Sequence, residues 1–508
     1  MDVIQRYTTP EALIFTFVAS TLFFLNWYIR DDVPFKGFEL IGKHSGDWFN
    51  RKTKHDWEQN PSRIVREGIE KTNGRPFQVM TGLGPVIVLP LSLSSEVAND
   101  PRFTFSGFLE RQSFTNYPGF DVIHSGTQGD IIQETCRKNL TQALGSLTDV
   151  LSTEMSLIVD ECFPGGKDWE EMTFMPAAVK IAARLSARVL LGERLCHDAR
   201  WIDISSRFAI VTLKAQQALR AWPVFLRPLV HRFIPLLRYQ RSLIAQARRI
   251  MEPELRARRA ARADVVKPLD SLSWLDDVRR GREFDVVAGQ LFLTVAAIHT
   301  TSMVLTGALY DLVARPAYVE ELRAEILGVL REDGGWRKTS LYKMKLLDSC
   351  LKESMRLNVL GSMAMNRRVE EPVTLSDGTH LPAGVYVSIP TLHMREGPTF
   401  EDPDQWDGRR FLRLRAQPGQ ENKGQLVTVA PEFLSFGLGK HACPGRFFAA
   451  NELKIALAHL LVRYDWRFVG DRLPRRSMME GRYVPDPEAR VECKAREVEA
   501  DVRELFGV

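Results

Sequence analysis

The sequence predicts a mainly α protein: one large helical unit with smaller β-sheets behind a membrane-spanning N-terminal helix. Three observations carry that expectation. From Gly129 to about Arg280, leucines and alanines recur three and four residues apart, the spacing of amphipathic helices. "QLFLTVAAIHTTSMVLTGALYDLV" (290–313) is apolar nearly all round, as a central, buried helix must be. "ALIFTFVASTLFFLNWYI" (Ala12–Ile29) carries no charge over a length near the lower limit for crossing a bilayer.

In chain order, the uncharged segment ends in Trp27 and Tyr28, placed as interfacial aromatics are. Arg30, Lys36, Lys43, Arg51, Lys52 and Lys54 follow it and only Arg6 precedes it, which leaves the bulk of the chain cytosolic. A cleaved signal peptide is the competing reading, opposed by the missing basic lead and cleavage site. "PFQVMTGLGPVIVLP" (76–90) reads as two β-rich runs around a Gly-Leu-Gly turn. "WPVFLRPLVHRFIPLLRYQR" (222–241) contains three prolines, so it is no single helix; it fits an apolar-basic connection able to dip into a membrane. "RPAYVEELRAEILGVL" (315–330) is an amphipathic helix, followed by "SLYKMKLLDSCLKESMRLN". In "VTLSDGTHLPAGVYVSIP", Asp377-Gly378 is a hairpin turn signal. "PGRFFAANELKIALAHLLVRYDWRF" (444–468) reads as one long helix. The expected plan is one smaller sheet near each end of a helical body.

The chain has 508 residues, 44% hydrophobic and 26% charged, enough to bury a sizeable core. No linker and no internal repeat divides it, so residues 1–32 are expected to be the anchor and 33–508 one cytosolic domain. Lysine and arginine number 68 against 63 acidic residues, a net +5 that argues against a nucleic-acid partner. The six cysteines form no CxxC pair, which excludes a zinc ribbon and a dithiol redox motif. Five of them read as small buried hydrophobes. Cys443 differs, because "FGLGKHACPG" (436–445) surrounds it with three glycines. Gly437 and Gly439 permit a tight bend whose N–H groups point at the sulfur and stabilise a metal-bound thiolate. Pro444 has no N–H to donate, Gly445 lets the next helix approach a flat cofactor, and Phe436 closes one side.

Phe436, Gly437, Gly439, Cys443 and Gly445 resemble the haem-binding signature of the cytochrome P-450 family. "ESMR" resembles that family's buried Glu-x-x-Arg, with Glu353 and Arg356 on one helix face, and "DGRRF" supplies Arg410 to complete the network. The resemblance implies a haem b ligated by the Cys443 thiolate, with His441, Arg367 and Arg137 as propionate partners. Gln133 stands where many relatives carry a tryptophan, so Arg137 and Lys138 also read as solvated surface charges. "AAIHTT" (296–301) is similar to the oxygen-activation stretch: Thr300 takes the hydroxyl role, Ala297 replaces the usual glycine and His299 the usual acid. A histidine there is either a proton shuttle or a structural group held by a backbone carbonyl.

The implied function is a haem-thiolate monooxygenase acting on a small apolar substrate, a terpenoid or related secondary metabolite. The likeness is to fungal microsomal members of diterpene and indole-diterpene type pathways. Electrons would come from NADPH through a cytochrome reductase, with cytochrome b5 as an optional second donor. A single-pass endoplasmic-reticulum protein with its catalytic domain in the cytosol follows. Lys440, Arg446 and the arginines of 409–415 are the expected basic docking face. Two alternatives stand beside it: a haem-thiolate isomerase or dehydratase needing no reductase, and a non-catalytic membrane haem protein.

Overall fold

The computed structural model describes residues 10–28, 30–163, 165–261, 267–470, 474, 477–479 and 482–507. Nine longer helices frame it: α1 (Pro10–Tyr28), α2 (Thr141–Cys162), α3 (Phe174–Leu190), α4 (Ala199–Arg220), α5 (Pro235–Ala260), α6 (Val286–Val313), α7 (Pro316–Asp333), α8 (Lys345–Leu357) and α9 (Arg446–Arg463). Their ends follow local chemistry. The Asp285 carboxylate caps α6 by accepting from Ala288 N–H at 3.0 Å. Helix α6 stops at Val313, and Pro316 starts α7 where its missing N–H costs nothing. Being apolar all round, α6 buries its flanks against α3, α4, α8 and α9 and forms the axis of the body.

The strands are β1 (Leu40–Ile41), β2 (Phe77–Thr81), β3 (Gly84–Val88), β4 (Phe103–Thr104), β5 (Glu170–Thr173), β6 (Met363–Val369), β7 (Val373–Thr374), β8 (His380–Leu381), β9 (Tyr386–Pro390), β10 (Tyr464–Phe468), β11 (Ser477–Met479), β12 (Arg482–Val484) and β13 (Arg490–Ala495). The expected hairpins form: β2 pairs with β3, and β7 with β8 around Gly378 at φ 87°. The expectation of separate sheets near each end needs correction. The 77–88 hairpin and the late strands join in one sheet, ordered β1-β2-β3-β9-β6-β4, because β3 pairs parallel to β9 nearly 300 residues on. The long C-terminal helix is also shorter than expected. It ends at Arg463, and Tyr464–Phe468 is strand β10, paired with β13.

The 222–241 stretch is irregular, as its prolines require: a 3-10 turn at Val224–Leu226, a short helix at Arg227–Val230, then α5 from Pro235. Trp222, Leu229 and Phe233 are exposed there, and the Phe225 ring lies 4.6 Å from Phe24 of α1. Helix α1 exposes Phe15 and Phe17. Residues 1–9 and Ile29 of the expected anchor lie outside the described residues, as do the side chains of Trp27 and Tyr28. Among the described residues, the helix long and apolar enough to cross a bilayer is α6, most of which is core; the apolar run Pro10–Leu25 is shorter.

Candidate active site

The cysteine loop lies between two φ-positive glycines and the start of α9. Gly437 (φ 71°) and Gly439 (φ 69°) occupy left-handed backbone that other residues adopt only with strain. A Cβ on Gly439 would stand 2.4 Å from the Ala98 carbonyl oxygen, so no side chain fits. Cys443 N–H donates to the Phe436 carbonyl at 2.8 Å, and Ala442 N–H to that of Gly439 at 3.0 Å. One expectation is overturned: Gly437 N–H bonds the Leu434 carbonyl at 2.8 Å, closing the turn instead of facing the sulfur. The backbone donor that favours the Cys443 thiolate is Gly445 N–H. Burial raises the Cys443 pKa, opposed by that N–H and by the Arg446 charge. A Cβ added to Gly445 would meet no protein atom within 4 Å, so the start of α9 is open on that side.

The other described thiols behave as packing groups. Burial pushes Cys136 and Cys493 up to about 12 and Cys196 to about 11, and it raises Cys350 and Cys162 as well.

Cationic side chains converge beside the loop. Arg367, on β6, is 2% exposed, and its Nε and one terminal nitrogen have no protein partner. Burial holds its pKa down to about 10. His441 lies in the 3-10 turn Gly439–His441; one ring nitrogen meets the Phe103 backbone and Nε2 is buried without a partner. Burial first, then the Arg367 and Lys440 charges, push it down to about 4. The Phe105 ring stands near both, 5.9 Å from the Arg367 guanidinium and 6.5 Å from the His441 ring. Arg137 donates to the Lys440 carbonyl within the loop, whereas Lys138 turns away to Glu134 at 2.9 Å. Arg137, though exposed, therefore differs from its neighbour in touching the cysteine loop. It is aimed by a π-helical turn, Thr135–Leu140, which periodicity does not reveal. One helical turn before it, Gln133 Oε1 is also buried and unpartnered. Buried cations and donors without partners are costly unless an anion completes them. A haem fits these residues: buried Arg367, partly buried His441 and the more exposed Arg137 offer donors of the kind its propionates need, Cys443 offers a sulfur, and the Gly445 side is open to a flat ring.

Thr300 lies on an accessible strip of the otherwise buried α6, with Ala296. Its hydroxyl donates to the Ala296 carbonyl at 2.6 Å and lies 3.4 Å from that of Ala297. His299 is partly buried; its Nε2 has no partner, the Ser206 backbone of α4 accepts from the ring, and burial lowers its pKa.

Behind the loop, Glu353 and Arg356 are fully buried and joined by two hydrogen bonds of 2.7 and 2.8 Å. Arg410 reaches the same carboxylate at 3.2 Å, and Asp407 N–H donates to it at 3.0 Å. Arg356 also donates to the carbonyls of Met394, Pro403 and Gln405. Sequence reasoning missed the adjoining Lys352, which is 1% exposed. Its ammonium donates to the Lys423 and Gln425 carbonyls at 2.9 and 2.8 Å and lies over the Phe411 and Phe433 rings. Its position on the buried face of α8 was the available signal. Of the expected docking arginines, Arg409 and Arg413 stay exposed while pairing with Glu321 and Asp407, whereas Arg410 turns in to Glu353 and buried Arg415 to Asp348. Lys440 and Arg446 bond backbone carbonyls.

Comparison with known proteins places this geometry in context. The family model described as cytochrome P450 matches residues 219–492. The cytochrome P450 monooxygenase hepE of Aspergillus oryzae is 37% identical over 458 residues, covering 88% of this chain and 83% of its own. The cytochrome P450 monooxygenase bsc2 of Alternaria brassicicola is 36% identical over 531 residues, covering 99% of both chains. The cytochrome P450 monooxygenase adrA of Penicillium rubens is 35% identical over 502 residues, covering 96% of this chain and 97% of its own.

Proposed function

The chain belongs to the cytochrome P450 family and is a haem-dependent monooxygenase, and from that premise we propose that Cys443 ligates the haem iron and that the substrate is a small apolar natural product, a terpenoid or related secondary metabolite. The haem supplies oxygen activation, helped by the electron density that a cysteine thiolate donates. In this reading Arg367, His441 and Arg137 hold the propionates, and Phe436, Gly437, Gly439 and Gly445 shape the loop. Electrons come from NADPH through a membrane-bound cytochrome reductase, with cytochrome b5 as a second donor.

The observation that supports oxygen insertion is the Thr300 hydroxyl, bonded back to the Ala296 carbonyl on the accessible strip of α6. Such a bond loosens the helix locally and presents a hydroxyl that orders proton-donating solvent. Thr300→Val removes the hydroxyl and nearly keeps the shape. Product formed per NADPH should fall several-fold, with the missing oxygen recovered as peroxide. Unchanged coupling would instead remove Thr300 from proton delivery and leave its hydroxyl a helix-bending role alone. His299 is the relay partner in this proposal, a neutral imidazole offering Nε2 as acceptor. In His299→Gln, coupling should fall and its pH dependence change. A lower melting temperature with unchanged coupling assigns His299 to tethering α4 through Ser206.

Residues 1–32 act as a single-pass anchor in the endoplasmic reticulum membrane, leaving 33–508 in the cytosol. The exposed apolar face of α1 and its contact with Phe225 support this. Deleting residues 2–30 should shift the protein from the membrane to the soluble fraction with haem content intact, because the described part of α1 packs outside the core. Full retention in the pellet would assign membrane attachment to the exposed Trp222, Leu229 and Phe233.

A further inference from the structure

Strand β6 carries Arg367 and breaks its own pairing just before it. Ala364 lies opposite Ile389, and then Arg367 lies opposite Val387. Met365 and Asn366 together face Ser388 alone, which is a β-bulge. The consequence follows from alternation. Ile389 and Val387 are two apart on β9 and share one face of the sheet. Their partners Ala364 and Arg367 therefore share a face although they are three apart. In an unbroken strand Asn366 would oppose Val387, and Arg367 would turn to the opposite side of the sheet.

The bulge depends on Met365. Its φ is 52°, left-handed backbone in a residue with neither glycine's freedom nor a short polar side chain to bond locally. It is 4% exposed, so the strain sits inside packed structure. Ser388 fixes the other side: its hydroxyl lies 2.6 Å from Asn366 Oδ1, and its carbonyl accepts from Leu89 N–H at 2.9 Å. Strain of this kind persists where surroundings over-determine it, and it gathers at functional sites. Here the residue it re-aims is Arg367, a buried guanidinium with two unpartnered nitrogens.

We propose that Met365 is a positioning residue, whose left-handed backbone makes the bulge that turns Arg367 toward the anionic edge of the cofactor. This rests on the reading of Arg367 as a propionate partner. Leucine and isoleucine are isomers, so they separate backbone shape from packing volume at this position. A β-branched residue fits left-handed backbone far less well than an unbranched one. The readout is the rate of haem loss from holoprotein to excess haem-free myoglobin, which is independent of turnover. Met365→Leu should lose haem at close to the wild-type rate. Met365→Ile should lose it about tenfold faster or more, as Arg367→Gln should, the scale set by one charge-assisted hydrogen bond. The double variant Met365→Ile/Arg367→Gln should be no faster than either single one, because both remove the same contact. Equal rates for Met365→Leu and Met365→Ile would overturn the proposal in favour of packing. Additive effects in the double variant would overturn the route through Arg367. A wild-type rate for Arg367→Gln overturns the reading of Arg367 itself, whatever the leucine and isoleucine comparison gives. Should isoleucine block folding, Met365→Val makes the same comparison with a smaller β-branched side chain.

Discussion

Cys443→Ala is expected to abolish the red-shifted absorption that reduced protein shows with carbon monoxide, and all oxygenation with it. The expectation rests on what separates this sulfur from the others. Cys136, Cys196 and Cys493 are buried, with thiols pushed to about 11 or 12 although Arg137 acts against burial at Cys136 and Arg184 and Arg188 do so at Cys196. Burial raises Cys443 as well, opposed by the Gly445 N–H and the Arg446 charge, so what sets it apart is the loop around it. Its loop is held by the Phe436 carbonyl and by two left-handed glycines, one with no room for a side chain. Cys196→Ala is the control, because it removes a buried thiol of comparable size from between α3 and α4. The control should keep the thiolate spectrum and lose only stability. A thiolate spectrum surviving in Cys443→Ala would place the ligand elsewhere. Haem uptake without that spectrum is the expected signature, since Arg367, His441 and Arg137 would remain to hold the propionates.

Much of this site is legible in the sequence because its parts are local. The glycine spacing around Cys443, the i to i+3 placement of Glu353 and Arg356, and the all-apolar α6 each express a short-range rule. What escaped depends on contacts distant in sequence. The 77–88 hairpin and β9 share a sheet only through the Ile87–Val387 pairing, and no periodicity reports a partner 300 residues away. The basic residues of 409–415 look like a free cationic face in the sequence; their acids lie on α7, α8 and the preceding loop. Gly437 shows a subtler limit. Its left-handed backbone follows from its type, but the direction of its N–H depends on where Leu434 lies. The bulge at Met365 gave no signal, since methionine is a residue that rules of turn chemistry would not place there.

The second large effect is expected at Arg356, whose loss should prevent accumulation of stable holoprotein. Both members of the pair are fully buried, so the comparison is with a carboxylate left inside the protein, not with a solvated surface pair. Breaking such a pair from one side costs about 3–5 kcal/mol. A domain holds about 5–15 kcal/mol in all, so that cost removes a large share of it. Arg356→Leu also strands the carbonyls of Met394 and Pro403 and leaves that of Gln405 to Arg410 alone; all three lie on the path between β9 and the cysteine loop. Arg410 moderates the loss by remaining 3.2 Å from Glu353, and it donates to Asp402 and Gln405 as well. It is slightly exposed where Arg356 is not, so water can partly replace it. The order of damage should therefore be Arg356→Leu, then Glu353→Gln, then Arg410→Ala. Denaturant unfolding of the two milder variants, with haem content measured alongside, checks the order even if Arg356→Leu never folds. Equal midpoints for Arg410→Ala and Glu353→Gln would mean that Arg410 carries most of the carboxylate's contribution, against the geometry, in which Arg356 makes the shorter pair of bonds and is the more completely buried.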